Sequence, residues 1–359
     1  MNFSIQRIKR ELVSPTKNFS KIIIFSFHYL IGIFKNKKGN GSGVRVIWDI
    51  RRESITYDFT CFILNAFNTI KNQGHDKFEL IIYFPKDFNP EPFKWKDYNL
   101  VIDSRELAKR VKSIIYDLAI SYSCISKVKK ISNLDELKEL IQNSQYVFPL
   151  NYHPVYYQPY SFNYRNIHSC LMNKKDYKIP KIIPNKSCSS DMNNIFKDLQ
   201  GENFITLTLR DYGFSTFRNT NNNDVIQSTK LANKLGLKLV IIPDEINKLK
   251  NYPISEDSLI CFSARKYLKD RIYLYSKSNL NIFQTSGPAW VSIFIEGSKT
   301  LMVDAGKGGY DNDENHWRKD LNVRYGDQPY KDLEGYLMWY RDFGDYNYID
   351  LLYFYKKLN

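Results

Sequence analysis

The chain has 359 residues, of which 43% are apolar and 15% aromatic, and its formal net charge is +14. This length and composition predict a mostly folded chain with two domains. Five cysteines, odd in number and far apart, argue against a disulfide framework. Half of the net charge lies in residues 1–40, which argues against a nucleic-acid surface spread over the folded part.

The first element in chain order is an apolar stretch, Ile22–Phe34, with lysines on both sides. It is shorter than the roughly 20 residues that a membrane-spanning helix needs, and no signal-peptide cleavage site follows it. Two interpretations stay open: a helix lying on an anionic membrane surface, or a helix packed on the body of the protein. We therefore expect a cytoplasmic protein that is either free or peripheral on the inner face of the membrane.

A first domain is predicted over residues 41–180, because apolar runs typical of strands alternate there with helical patterns. The alternation predicts an α/β domain with a parallel, doubly wound sheet. Strands are expected at Val44–Asp49, Phe78–Phe84, Tyr98–Ile102 and Tyr146–Pro149, and helices at Phe59–Ile70, Glu106–Tyr122 and Leu134–Asn143, the last capped by Ser132 or Asn133.

A second domain of the same kind is predicted over residues 181–332, after an irregular region, 151–200. An aromatic tail, 333–359, is expected to form a helix that packs across the domains. Within the second domain, strands are expected to begin at Phe204, Leu237, Leu259, Leu280 and Thr300, and helices to cover Val225–Leu235, Arg265–Ser276 and Ala289–Glu296.

The loop after the strand at Phe204 is the first candidate binding site. It carries Arg210, Asp211, Arg218 and Asn219. Open α/β sheets bind ligands at the carboxyl ends of their strands, and arginine suits the bidentate recognition of phosphate. The loop therefore predicts an anion site, and solvated surface arginines are the alternative.

A second candidate is the turn Thr285–Ser286–Gly287–Pro288, which joins a strand to a helix. Glycine lets the backbone approach a ligand, and proline suits the first helical turn. Free N–H groups at a helix start bind phosphate. An ordinary capped turn would have the same sequence, so both interpretations stay open.

The segment Phe204–Glu245, with Leu-Arg-Asp-Tyr-Gly-Phe and Arg-Asn-Thr-Asn after its strand, resembles a family of bacterial surface-polysaccharide glycosyltransferases. Asn281–Asp304 is similar to the diphosphate loop of heptosyltransferases, although that family usually has Asp where this chain has Thr285. The strand followed by Leu-Arg also resembles fucosyltransferases. Together these stretches cover roughly 100 residues.

This resemblance implies the glycosyltransferase-B architecture, in which two Rossmann-like domains face a cleft. It further implies a nucleotide-sugar donor in the second domain, a glycan or glycolipid acceptor such as lipopolysaccharide or capsule, and no cofactor or metal. Two alternatives stay open: a sugar-nucleotide epimerase or hydrolase of the same architecture, and a non-catalytic module of polysaccharide assembly.

Transfer to a hydroxyl needs a general base, and carboxylates near the first strand are the candidates. They are Asp58, Asp49 and Glu53, with Asp58 the first choice because it precedes a predicted helix. Asp58 could equally be a helix cap. Asp311 and Asp313 match the two-acid pattern of metal-dependent glycosyltransferases, and a solvated turn is the alternative we favour.

Overall fold

The computed structural model describes residues 41–51, 53, 55–86, 108–150, 152–154, 177–185, 187–213, 216–303, 336–338 and 346–359. The front segment 1–40, the predicted strand Tyr98–Ile102 and the acids Asp311 and Asp313 lie outside these residues. Within them, no helix has the length and apolarity needed to cross a membrane.

The chain divides into two compact units that alternate along the sequence. The first unit comprises Met1–Glu53, Thr69–Phe88 and Ser126–Ser161, and the second comprises Ser54–Asn68, Asn89–Ile125 and Phe162–Asn359. The loop before the first helix, with Tyr57 and Asp58, therefore belongs to the second unit.

The described residues of the first unit form a sheet of four strands in the order β3-β2-β1-β4. β1 pairs in parallel with both β2 and β4, so that Val46 lies opposite Leu80 on one side and Phe148 on the other. Apolar side chains such as Ile47, Ile81 and Leu137 form its core. The strands are β1 Val44–Asp49, β2 Phe78–Tyr83, β3 Ile125–Ile131 and β4 Tyr146–Phe148, and the helix α2 Leu134–Gln142 belongs to the same unit. The helix α1 Phe59–Lys71 begins in the second unit, which holds its residues up to Asn68.

Strand β3 was not predicted, because its sequence places serine and lysines among the apolar residues. It lies at one edge of the described first sheet, a position where lysine and incomplete burial are common. The cap of α2 is Asn133 and not Ser132, since its side-chain oxygen accepts the backbone N–H of Asp135 at 2.7 Å. Before β3, a π-helical turn, Val111–Tyr116, continues into a short α-helix, Asp117–Ala119.

The described residues of the second unit form a sheet of six strands in the order β10-β9-β8-β5-β6-β7, with parallel pairing throughout. Read from the other edge, this is the 3-2-1-4-5-6 order of a doubly wound nucleotide-binding sheet. The predicted α/β class with parallel, Rossmann-like sheets is confirmed. The strands are β5 Phe204–Thr208, β6 Lys238–Ile242, β7 Leu259–Ile260, β8 Asn281–Gln284, β9 Thr300–Val303 and β10 Tyr336–Met338.

In the described part of residues 187–359, six α-helices accompany this sheet, and local sequence sets several of their ends. The helix α4 begins with a reciprocal cap between Asn221 and Asp224 and ends at Gly236, whose φ of 64° is left-handed. The helices are α3 Ser190–Asp198, α4 Asn222–Leu235, α5 Phe262–Lys266, α6 Leu268–Lys277, α7 Gly287–Phe294 and α8 Tyr348–Leu358.

The second unit differs from the sequence prediction in three places. Helix α3 lies in a region predicted to be irregular, where Ser189 caps it through a 3.2 Å bond from Met192 N–H. The single helix predicted from Arg265 is two helices, because Tyr267 has extended backbone. The aromatic tail contains a short strand, β10, as well as α8, which packs on α4 within the same unit.

Candidate functional site

The second sheet reverses its winding between β5 and β8, which is where open α/β sheets bind ligands. Thr208 of β5 lies opposite Phe283 of β8. Two residues further along each strand come Arg210 and Thr285. Since neighbouring strands lie about 4.8 Å apart, the two predicted binding segments follow adjacent strand ends, and the fold brings them together.

The loop after β5 is held by a compact set of hydrogen bonds. Thr220 closes it, because its hydroxyl accepts Arg210 N–H at 2.8 Å and its own N–H donates to Arg210 C=O at 2.8 Å. The side-chain oxygen of Asn219 accepts hydrogen bonds from the Arg210 guanidinium and from Tyr212 N–H. The side-chain nitrogen of Asn219 donates a hydrogen bond to Tyr212 C=O. Asn219 therefore orients Arg210 and fixes the loop.

Two positive charges are concentrated in this loop. Arg210 is buried, and burial together with the charge of Arg218 lowers the pKa of Arg210 to about 10. Arg218 is half-buried, and its guanidinium lies 5.9 Å from the Phe217 ring. Two nearby guanidinium groups that destabilise each other's charge form a site that a bound anion would stabilise.

Asp211 is paired within the protein. Its carboxylate accepts Lys248 Nζ at 2.6 Å, and its N–H donates to Asp244 Oδ2 at 3.0 Å. Asp244 lies two residues after the end of β6, and its backbone carbonyl accepts a hydrogen bond from Arg265 Nε. Asp211 and Asp244 therefore fix the outer side of the arginine loop.

The turn after β8 leads into α7, whose start is rich in unsatisfied polar groups. Ser286 is the N-cap residue, but its side chain makes no capping hydrogen bond. Among the described residues, the buried atoms Ser286 Oγ and Gln284 Nε2 have no hydrogen-bond partner. Buried polar atoms are normally paired, so these two indicate a position where a polar ligand completes the structure.

Gly287 in this turn is approached closely by Tyr57. A Cβ built on Gly287 would lie 2.4 Å from Tyr57 Cδ2, so only glycine fits. The Tyr57 hydroxyl accepts Arg271 Nη1 at 2.9 Å. The loop that carries Tyr57 and Asp58 is thereby fixed against the start of α7, and Asp58 lies one residue from that contact.

The other two predicted carboxylates, Asp49 and Glu53, lie in the first unit. Asp49 is fully buried and accepts Arg51 Nε at 3.0 Å, Arg51 Nη2 at 2.6 Å and Tyr152 Oη at 3.0 Å. Glu53 is buried as well, and its N–H donates to Asp49 C=O at 2.9 Å. The Asp49 carboxylate is saturated by these donors, which is typical of a structural ion pair.

Sequence reasoning missed the groups that support the site, namely Thr220, Asp244, Arg271 and the hydroxyl pair Thr208–Tyr275 at 2.8 Å. The Pro-Asp sequence directly after β6 was a local feature that could have pointed to Asp244. Thr220 lies within the Arg-Asn-Thr-Asn motif, but the motif did not indicate that it closes the loop, and Arg271 and Tyr275 lie far from the loop in sequence.

No protein-family model matches the chain. A curated relative, nucleoside triphosphatase I of Choristoneura biennis entomopoxvirus, is 24% identical over 285 residues. The matched region covers 70% of this chain and 41% of that protein, so the chain spans about two fifths of the relative's length.

Solved structures similar to the chain include glycosyltransferases, as the sequence resemblance predicted. A family 9 glycosyl transferase from Veillonella parvula has a TM-score of 0.43 and 10% identity, over 77% of this chain and 83% of that one. The E. coli ADP-heptose heptosyltransferase II has a TM-score of 0.41 and 8% identity, over 73% and 84%. At TM-scores below 0.5, no residue role or substrate follows from these similarities.

One prediction is corrected by a third similar structure, TibC of enterotoxigenic E. coli, with a TM-score of 0.38 and 9% identity over 75% of this chain and 61% of that one. TibC is described as an iron-containing glycosyltransferase. The prediction of no cofactor or metal, implied by the resemblance, is therefore wrong. Within the described ranges, no group of three or more His, Cys, Asp or Glu side chains fits a metal ion.

Proposed function

We propose that the protein is a glycosyltransferase that binds a nucleotide-sugar donor at the carboxyl ends of β5 and β8. The observation that carries the proposal is the pair Arg210 and Arg218, placed at the switch point of a doubly wound sheet. The acceptor is a hydroxyl of a cell-surface glycan or glycolipid, reached at the inner face of the membrane.

The donor's diphosphate is the group that fits this site. Arg210 and Arg218 supply fixed positive charge, and the N-terminus of α7 adds N–H donors and the positive end of its dipole. Ser286 Oγ and Gln284 Nε2 supply further polar atoms without protein partners in the described structure. Diphosphate oxygens accept hydrogen bonds, which matches all of these groups.

The same groups explain how the reaction is accelerated. Breaking the bond between the sugar and the diphosphate leaves an additional negative charge on the leaving phosphate. Preorganised cations aimed at a developing charge stabilise the transition state more than the ground state. Asn219 and Thr220 hold Arg210 in place before the donor arrives, so little reorganisation is required.

Asp58 is the proposed general base that accepts the proton of the acceptor hydroxyl. The packing of Tyr57 on Gly287 supports this choice, because it places the Asp58 loop beside the proposed diphosphate turn. Asp49 is less suitable, since Arg51 and Tyr152 already occupy its oxygens. The oxygen freed of its proton attacks the sugar as the diphosphate departs.

A nucleotide hydrolase is the second candidate, favoured by the match to nucleoside triphosphatase I. It would use the same phosphate site with water in place of an acceptor hydroxyl. The chain contains no P-loop lysine motif, so such a hydrolase would need a different phosphate cradle. Turnover without any glycan acceptor separates this candidate from a transferase.

A thermal-shift screen of nucleoside diphosphates, nucleoside triphosphates and nucleotide sugars on the full chain tests the proposal. A ligand that binds only the folded state raises the melting temperature by mass action. Arg210→Met should weaken binding of the best nucleotide sugar by about tenfold to a hundredfold, because a charge-assisted hydrogen bond is worth about 1.5–3 kcal/mol.

Lys234→Met is the matched control for that screen. Lys234 is an exposed cation in the last turn of α4, the end of the helix far from the arginine loop. The Lys234→Met substitution should leave the affinity for the nucleotide sugar unchanged. Equal affinities of the parent and Arg210→Met for every nucleotide that binds the parent would contradict the proposed site.

A further inference from the structure

Three large apolar side chains of the second unit are exposed close together. Tyr116 is 41% exposed, Ile120 58% and Ile183 47%. Tyr116 and Ile120 are four residues apart in a helical segment and share its outer face. Because a folded protein normally buries such side chains, a cluster of them indicates a contact surface.

Backbone hydrogen bonds hold this surface in shape. Ile120 N–H donates to Tyr116 C=O at 3.0 Å, and Ile183 N–H donates to Ser121 C=O at 2.8 Å. Between them, Tyr122 and Ile182 form an antiparallel bridge and are both buried. Their neighbours therefore face outward, and Ile183 lies beside the residue that follows Ile120.

Lysines surround the apolar residues. Lys109 and Lys112 precede Tyr116 in the chain by seven and four residues. Lys181 precedes Ile183 by two residues. All three lysine side chains are exposed. The only acid within 108–125 and 177–185 is Asp117, which is half-buried. We call Lys109, Lys112, Tyr116, Ile120, Lys181 and Ile183 the lysine–isoleucine surface.

We propose that the lysine–isoleucine surface docks on an anionic lipid membrane. Lysines attract acidic headgroups, tyrosine favours the level of the headgroups, and isoleucines enter the acyl boundary. A second copy of the chain is a poorer partner, because a symmetric contact would oppose the same lysines to one another.

The surface lies away from the proposed donor site. Ile182 N–H donates to Phe294 C=O at 2.8 Å, at the carboxyl end of α7, whereas the proposed diphosphate turn is at the amino end of that helix. Eight residues of helix separate the two ends by about 12 Å. Membrane docking at this surface would therefore leave the donor site open.

Flotation of the full chain with vesicles tests the proposal. Vesicles of phosphatidylcholine with about 30% phosphatidylglycerol, an acidic fraction in the range that gives a cytoplasmic leaflet its surface potential, are compared with pure phosphatidylcholine. The parent should bind the acidic vesicles and release from them at high salt. Ile120→Ser combined with Lys181→Gln should lower the partition coefficient by about tenfold, of which about fivefold comes from the lysine.

Ile349→Ser combined with Lys356→Gln is the matched control, because Ile349 is 59% exposed on α8 and Lys356 is exposed on the same helix. It should bind as the parent does, and both variants should keep the parent's melting temperature, since the altered side chains are exposed. Equal partitioning of both variants would overturn the proposal and indicate that the surface binds an acidic protein instead of a membrane. A parent dimer in gel filtration that only Ile120→Ser/Lys181→Gln dissociates would overturn it in favour of self-association.

Discussion

The strands β1 and β5 each occupy an inner position of their sheet, and each is followed by arginine, but the two arginines have opposite surroundings. In the first unit, Arg51 forms a bidentate pair with buried Asp49 and lies 4.7 Å from the Tyr83 ring. In the second unit, buried Arg210 has the like charge of Arg218 nearby and a hydrogen bond to the neutral Asn219, and Asp244 and Asp211 attract it less strongly.

The pKa values of the two arginines move in opposite directions for this reason. Burial opposes the charge of Arg51, but hydrogen bonding and attraction from Asp49 outweigh it and raise the pKa of Arg51 above the ordinary value of an arginine. Burial and Arg218 instead lower the pKa of Arg210 to about 10. An arginine held by a buried carboxylate stabilises its own fold, whereas the charge of Arg210, which burial and Arg218 oppose more strongly than Asp244 and Asp211 support it, is one that a bound anion would stabilise.

The largest effect is expected for Asp58→Asn, which tests whether the second region is the catalytic one. Asparagine caps a helix as well as aspartate does, so the fold should be retained. Loss of a general base should lower donor turnover with a cell-surface glycan extract by about 10²- to 10⁴-fold, with donor affinity unchanged. Turnover at the parent rate would identify Asp58 as a helix cap only.

Asp49→Asn probes the first region and should act on stability. The substitution leaves the Arg51 guanidinium without its anion, and breaking a buried ion pair typically costs about 3 kcal/mol or more. Urea denaturation should show this loss. Asp76→Asn, which removes an exposed pair with Lys71, is the control and should show no measurable change. Similar curves for Asp49→Asn and the parent would mean that the pair is not structural.

The smallest effect is expected for Arg210→Met without ligand. Because the folded-state pKa of Arg210 lies below the ordinary value of an arginine, the charged form is disfavoured in the folded state, and this penalty is complete below pH 10. Removing the charge should raise the free energy of unfolding at pH 7 by about 1 kcal/mol, after the lost Asn219 contact is discounted. The gain should shrink as the pH rises above 10. A clear destabilisation would show that Arg210 is structural, like Arg51.

Much of the fold follows from local sequence patterns. The buried runs of β1 and β5 and the end of α4 before Gly236 were predicted, because each is decided by neighbouring residues. Strand β3 and the break at Tyr267 were not, since lysine-rich edge strands and helix breaks without Gly or Pro carry no local signal. The front segment and the two acids at 311 and 313 stay predictions.

The candidate site also has one part that the sequence predicts and another part that only the folded structure shows. By itself, the sequence determined that Arg210, Arg218 and the Thr285–Pro288 turn follow strand ends, because strand length and turn chemistry are local properties. Only the tertiary structure decided that β5 and β8 are neighbours, that Tyr57 closes on Gly287, and that Asp49 is neutralised by Arg51 and Tyr152. Those outcomes depend on strand order and on contacts between residues as many as 230 positions apart (57 and 287 in the same unit), and no local pattern encodes them.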